Sequence, residues 1–390
     1  MPISRVILDI ANEAVAWRRD FHAHPELLFE VHRTAAIVAD KLRCFGCDRV
    51  ETGVGRTGVV AEIRGKRGEG RAIGLRADMD ALPIEELGNP PYRSTRPGLM
   101  HACGHDGHTA ILLGAAKYLA ATRNFAGSVV LIFQPAEEGG SGGKVMLDDG
   151  LLARFPFDEV FGLHNMPGIA VGAFAIRRGP IMAAADNFTI EVEGRGGHAA
   201  RPQACIDPVI VASHIVTALQ TVVSRNVDPL YPAVLSVSSI VGGDAYNIIA
   251  DRARLLGIVR TLDADVRNVM ESRLTLLAER VASAFDAKAS VFYQRHYPAT
   301  VNHLEQTELA RRAAERATIE GRAVDGDVAP TMIAEDFAFM LEARPGAYIF
   351  LGNGESAGLH AATYDFNDDA LPAGIAYWVA LVETALASRD

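Results

Sequence analysis

Four cysteines in 390 residues, at 44, 47, 103 and 205, are too few to staple a chain of this size, which excludes a disulfide framework. A reducing, cytoplasmic setting is expected instead. No run of Lys or Arg stands out against a net charge of −10, so no nucleic-acid partner and no membrane surface is expected. The richest apolar stretch, TAILLGAAKYLAA at 109–121, carries a lysine and is too short to span a bilayer. The first residues, MPISRVILDIANEAVAWRRDFHAHPE, show neither an uninterrupted apolar segment nor a small-residue cleavage site, and no signal peptide is expected. No serine is read as the nucleophile of an elbow motif, so Ser-His-Asp hydrolysis is not expected.

What is present is globular composition, 49% apolar and 22% charged, in a chain long enough for two domains. Residues 9–43 read as helical, DRVETGVGRTGVVAEIRG and GRAIGLRA as neighbouring strands, 107–122 as a helix, 127–133 as a strand, 143–152 as a helix and 159–164 as a strand. That alternation predicts an open α/β sheet covered by helices on both faces. From 187 the order becomes strand, helix (207–225), strand (233–243), strand (252–262), helix (265–285), strand (288–301), the ferredoxin-like arrangement. The α/β grammar then resumes with a helix at 303–319, a strand at 347–352 and a helix at 370–387. The simplest account is a discontinuous α/β domain, 1–186 and 302–390, interrupted by an α+β unit at 187–301.

The polar clusters fall at strand ends. Asp78 and Asp80 follow one strand, Glu137 and Glu138 another, His164 ends a third, and His360 lies beyond a fourth. LMHACGHDGHTA, 99–110, adds three histidines, a cysteine and an aspartate at a helix start. Open α/β sheets bind ligands beyond the carboxyl ends of their strands. Carboxylate, imidazole and one thiolate suit zinc, manganese or another divalent transition metal. There are more donors than one tetrahedral ion needs, which suggests two metals sharing a bridge. Read as an extended loop, Glu137 and Glu138 face opposite sides, so one could bind metal while the other moves a proton. Within 99–110, His101 is expected to shape the loop, Asp106 to cap the helix, and His108 to support or pack. Gly-Gly-His198 leaves a strand on a loop tip, where an imidazole could reach an oxyanion.

Other signals are set aside. Gly53–Gly58 spells G-x-G-x-x-G but precedes a strand, whereas a dinucleotide fingerprint opens a helix. Gly143-Lys144 lacks the rest of a P-loop. Cys44 and Cys47 have no second pair, and Cys205 has no titratable cluster beside it.

Seven stretches, RADMDALPI (76–84), MHACGHDGHTA (100–110), FQPAEEGG (133–140), GLHNMPG (162–168), GGHAARP (196–202), AEDFA (334–338) and LHAATYDFND (359–368), occur in order across nearly the whole chain. Together they resemble the metal-dependent amidohydrolases of the aminoacylase-type peptidase family, the branch of hippurate hydrolase, indole-acetyl-amino-acid hydrolases and N-acyl-amino-acid deacylases. The resemblance implies a zinc-peptidase-like catalytic domain with an inserted ferredoxin-like lid that also dimerises. It implies two divalent metals per subunit, zinc or manganese, with nickel and cobalt as further fits. It makes Cys103 the bridging ligand and His105, Glu138, His164 and His360 terminal ligands. Glu137 is then the general base, Asp80 the aspartate that orients a ligand imidazole, and His198 the group stabilising the tetrahedral intermediate. Asn247 and Arg260 match positions that contact the substrate carbonyl and carboxylate. Three residues depart from the family's pattern: Ala250 stands where proline is common, Ile258 where threonine is usual, and Asp78 where relatives carry histidine. The implied reaction is hydrolysis of an N-acyl amino acid to a carboxylic acid and a free amino acid. A dipeptidase or carboxypeptidase with the same chemistry, or a metal-binding protein without activity, are the rival readings.

Overall fold

The computed structural model describes residues 3–319 and 321–387, so the sequence-based domain limits at 1 and 390 lie outside it. The first helix, α1 (Arg5–Ala23), starts where the Ser4 hydroxyl accepts from the Ile7 N–H and buries Ile7, Ile10, Ala11, Ala14 and Phe21 along one face. It ends at His24, ahead of Pro25, because a residue before proline is pushed out of the α region. The stretch read as helical over 9–43 is therefore two helices, and α2 (His32–Phe45) begins after a turn. Glu26 caps α2 from outside, its carboxylate accepting from the Arg33 and Thr34 N–H groups at 3.0 and 2.8 Å. Gly46, at φ 82°, closes the helix in the left-handed conformation.

Then follow β1 (Arg49–Val54), β2 (Gly58–Arg64), β3 (Ala72–Asp78), α3 (His105–Thr122), β4 (Ser128–Gln134), β5 (Glu159–Pro167) and β6 (Phe174–Ala175). The glycines at 53–58 make the β1–β2 hairpin turn. Instead of the single helix predicted at 143–152, two short pieces form, Gly142–Asp148 and Leu151–Arg154, parted by Gly150 at φ 86°. After a second unit, which holds β7–β10 and α4–α5, come α6 (Leu304–Ala317), β11 (Val324–Asp325), β12 (Gly346–Gly354) and α7 (Leu371–Ala385). These strands form one sheet in the order β1-β2-β4-β3-β5-β12-β6-β11. Its centre, β4-β3-β5-β12, is parallel and buried along nearly its whole length, the behaviour of strands covered on both faces. Because the central strands are parallel, their carboxyl ends share one edge.

The second unit spans 182–300 with a hexapeptide, 330–335, and the first holds the remainder of the described chain. Its elements are β7 (Ala184–Glu193), α4 (Pro208–Asn226), β8 (Ala233–Val241), β9 (Arg252–Thr261), α5 (Ala264–Ala284) and β10 (Lys288–Tyr297). They pair antiparallel in the order β8-β9-β7-β10. In β9 alternate residues such as Ala253, Leu255 and Val259 are buried, and their neighbours face solvent, as expected of a sheet with helices on one side only. Asp207 and Asp263 cap α4 and α5 through their carboxylates. Among the described helices α4 alone is long and apolar enough to cross a bilayer; here Val211, Ala212, Ile215, Leu219 and Val222 form a buried face in the unit's core.

Candidate metal centre

The carboxyl-end edge of the first unit's sheet gathers the polar clusters. Two trios of donor atoms, each mutually within 4.8 Å, overlap there: Cys103, His105 and His164, and Cys103, Glu138 and His360. The Cys103 thiol is common to both. A third trio joins His105 to Glu137 and Glu138. Cys103, His105, His164 and Glu137 are buried, whereas the His360 ring is half exposed.

His105 and His164 each present one nitrogen to this space because the other is held. His105 Nδ1 lies 2.8 Å from the Asp80 carbonyl oxygen, which fixes the proton there and leaves Nε2 buried without a hydrogen-bond partner. His164 Nδ1 donates to the Asn165 carbonyl at 2.6 Å, and its Nε2 stands 3.4 Å from Cys103 Sγ. Two donors on one tetrahedral zinc stand about 3.5 Å apart, given typical Zn–S and Zn–N bond lengths. His360 Nε2 is 3.2 Å from Glu138 Oε1.

The electrostatics favour cations. Hydrogen bonds to Cys103 and Glu138 raise His360 to about 10. Burial alone would depress His105, but Asp78 and Cys103 push it well above the usual imidazole range. Burial raises the Cys103 thiol. An orphaned imidazole nitrogen, a thiol common to two trios and surrounding carboxylates fit a pair of divalent ions.

Asp80 acts twice. Its carbonyl takes the His105 proton, and its carboxylate accepts the Glu137 and Glu138 N–H groups, each at 3.0 Å. Those two glutamates do not lie in an extended loop. They sit in a tight turn entered through Ala136 at φ 55°, so both carboxylates face the same space. Ala136, Ser141 and His360 are non-glycine residues in left-handed backbone around the site, strain that surrounding structure must hold.

Asp106 is not the cap of α3: Gly104 occupies that position, at φ 88°, and Asp106 turns inward to His22 Nδ1 and Arg18. His101 is buried with both ring nitrogens unpartnered. His108 places Nδ1 at 2.6 Å from Asp78 Oδ1. Gly139–Gly143 spells the letters of a nucleophile elbow around Ser141, but Ser141 lies beyond a turn and not at the end of β4.

His198, Asn247 and Arg260 belong to the second unit. His198 is exposed on a two-residue strand paired with Ile248–Ile249, and the Ala199 N–H donates to the Asn247 carbonyl at 3.0 Å. His198 Nδ1 accepts the Ala200 N–H at 3.1 Å, which leaves Nε2–H as a donor. Arg260 is half buried on β9 and donates to the Val259 and Asp186 carbonyls, while Arg267 and Tyr293 take the Asp186 carboxylate.

Beneath the site lies a buried network with no role foreseen in the sequence. The Arg76 guanidinium bridges Asp78, Gln134 and Asp336 at 2.7–2.9 Å, and Asp336 also accepts the Gly143 N–H. Both Arg76 and Asp336 sit inside the quoted motifs, so motif membership was the available signal.

Residues 74–384 match the model of peptidase family M20/M25/M40. Hippurate hydrolase of Campylobacter jejuni is 43% identical over 375 residues, covering 96% of this chain and 97% of its own. N-acetyl-L-cysteine deacetylase of Bacillus subtilis is 43% identical over 93% of this chain and 85% of its own. The crystal structure of the Bacillus subtilis YXEP protein, described as a dinuclear metal-binding peptidase, superposes with a TM-score of 0.85 at 32% identity, covering 97% and 99% of the two chains.

Proposed function

Because the chain belongs to peptidase family M20/M25/M40, we propose that it hydrolyses the amide bond of N-acyl amino acids, releasing a carboxylic acid and a free amino acid. The observation that carries this reading is the pair of donor trios sharing Cys103, beside a glutamate, Glu137, that neither trio uses. The deacylating relatives support the substrate class. A dipeptidase or carboxypeptidase reading stands second, favoured by the solved relative described as a peptidase.

Cys103, His105, Glu138, His164 and His360 would hold two divalent ions, with Cys103 as the bridge; zinc and manganese suit this mixed donor set best, and nickel and cobalt fit it too. Bound there, such ions supply Lewis acidity and lower the pKa of water. Glu137, fixed through its backbone by Asp80, takes the proton of the attacking water and passes it to the departing nitrogen. His198, with Nε2–H free to donate, serves the oxyanion, from this subunit or a partner. Asn247 is assigned to the substrate carbonyl and Arg260 to its carboxylate; burial lowers the Arg260 guanidinium and leaves it poorly solvated, a state that a carboxylate relieves. We place the enzyme in the cytoplasm, where its unpaired cysteines stay reduced, as a homodimer or higher homo-oligomer formed through the second unit.

The test is a hydrolysis screen over acetyl-, benzoyl-, indole-acetyl- and aminoacyl-amino acids with defined zinc or manganese loading. Turnover of the first three above the aminoacyl compounds supports the reading. Preference for aminoacyl substrates transfers support to the peptidase alternative, and no turnover with metal bound contradicts both.

A further inference from the structure

Cys103 and His164 come from different elements, and one residue touches both. Asn165 is fully buried. Its Nδ2 donates to the Cys103 carbonyl at 2.7 Å, and its main-chain carbonyl receives the His164 Nδ1 proton at 2.6 Å. The orientation of its amide is fixed by neighbours: the Cys103 carbonyl can only accept, and the Tyr364 hydroxyl donates to Oδ1 at 2.5 Å. His108 Nε2 accepts the Asn165 backbone N–H at 2.9 Å and lies 3.0 Å from Nδ2. The proton of His108 is therefore on Nδ1, directed at Asp78 Oδ1.

Two consequences follow. His108 lies with Asp78 and His105 in a cluster whose donor atoms are within 4.8 Å of one another, yet its one lone pair is already used, so it is not a ligand. Asn165, anchored by His108 and Tyr364, tethers the main chain of Cys103 with its side chain and the ring of His164 with its carbonyl. We infer that Asn165 is a positioning residue that sets the separation of Cys103 and His164 and thereby the affinity of the site for metal. The inference rests on the proposed metal centre.

Cobalt(II) titration of metal-stripped enzyme tests it, reading the thiolate-to-cobalt absorption band and the affinity by chelator competition, with the melting temperature of the metal-free protein alongside. Asn165→Ala is expected to weaken metal binding roughly 10- to 100-fold, the usual effect of losing a group that orients a ligand, and to shift the band. Tyr364→Phe keeps the amide but frees it to turn, and is expected to show the same change in smaller measure. If Asn165→Ala does not fold, Tyr364→Phe decides. A folded variant with wild-type affinity and band overturns the inference, whatever its melting temperature. Wild-type protein that gives no thiolate band overturns the metal-centre reading itself, and this inference with it.

Discussion

Asp80 holds Glu137 by its backbone: the Glu137 N–H donates to Asp80 Oδ1 at 3.0 Å, and the same carboxylate takes the Glu138 N–H through Oδ2. One buried side chain thus sets the position of both glutamates. In Asp80→Ala the buried Glu137 N–H loses its acceptor, at about 1–3 kcal/mol, and the partly buried Glu138 N–H loses its acceptor too. Turnover should fall roughly 10- to 100-fold, with weaker metal retention. Steady-state kinetics paired with metal analysis checks this, and wild-type values for both would contradict it.

Cys103→Ser replaces the one donor common to both trios. Its loss should cost metal occupancy before it costs fold. The expected result is a protein with native circular dichroism that retains fewer than two ions after dialysis. Two tightly held ions and full activity would show that the thiol is not the bridge.

Gly104→Ala forces a side chain into left-handed backbone at φ 88° and drives its Cβ into Asn165 Nδ2 and Tyr364 Oη. The backbone alone costs about 1–2 kcal/mol. A drop in denaturant midpoint together with weakened metal binding is expected; an unchanged midpoint would mean that the loop adjusts freely.

The grouping of these donors was legible because each cluster is local in the sequence. Cys103 and His105, Glu137 and Glu138, and His164 could be read from short stretches and the rule that ligands bind beyond parallel strands, although β5 runs on past His164 to Pro167. The six-element pattern of the second unit was equally plain from the order of its strand and helix stretches. What escaped depends on distance. Asn165 reads as an ordinary residue after a histidine until Tyr364, 199 positions away, fixes its amide. Asp106 has the right type and place for a cap, but its partners Arg18 and His22 sit on α1, and pairing buried charges outweighed capping. The break at Pro25 was missed because apolar spacing continues on both sides of it.

His22 is buried between Asp106 and Glu86. Burial opposes its protonation, yet hydrogen bonds to those carboxylates overcome this and raise it from 6.5 to about 9. The resulting stability is present in full below pH 6.5 and is lost as pH rises through about 9. A shift of this size corresponds to an order of 3 kcal/mol. The stability gap between wild type and His22→Gln, from urea unfolding at several pH values, should therefore shrink from slightly acid to alkaline pH. A gap independent of pH would contradict the assignment.

The central claim is that Glu137 moves protons while its neighbours hold metal. Glu137→Gln keeps the size of the side chain and the backbone bond to Asp80 but removes the base. Turnover of this variant, measured on the best N-acyl amino acid at verified two-metal occupancy, should fall at least roughly a hundredfold. Full turnover at that occupancy would contradict the account.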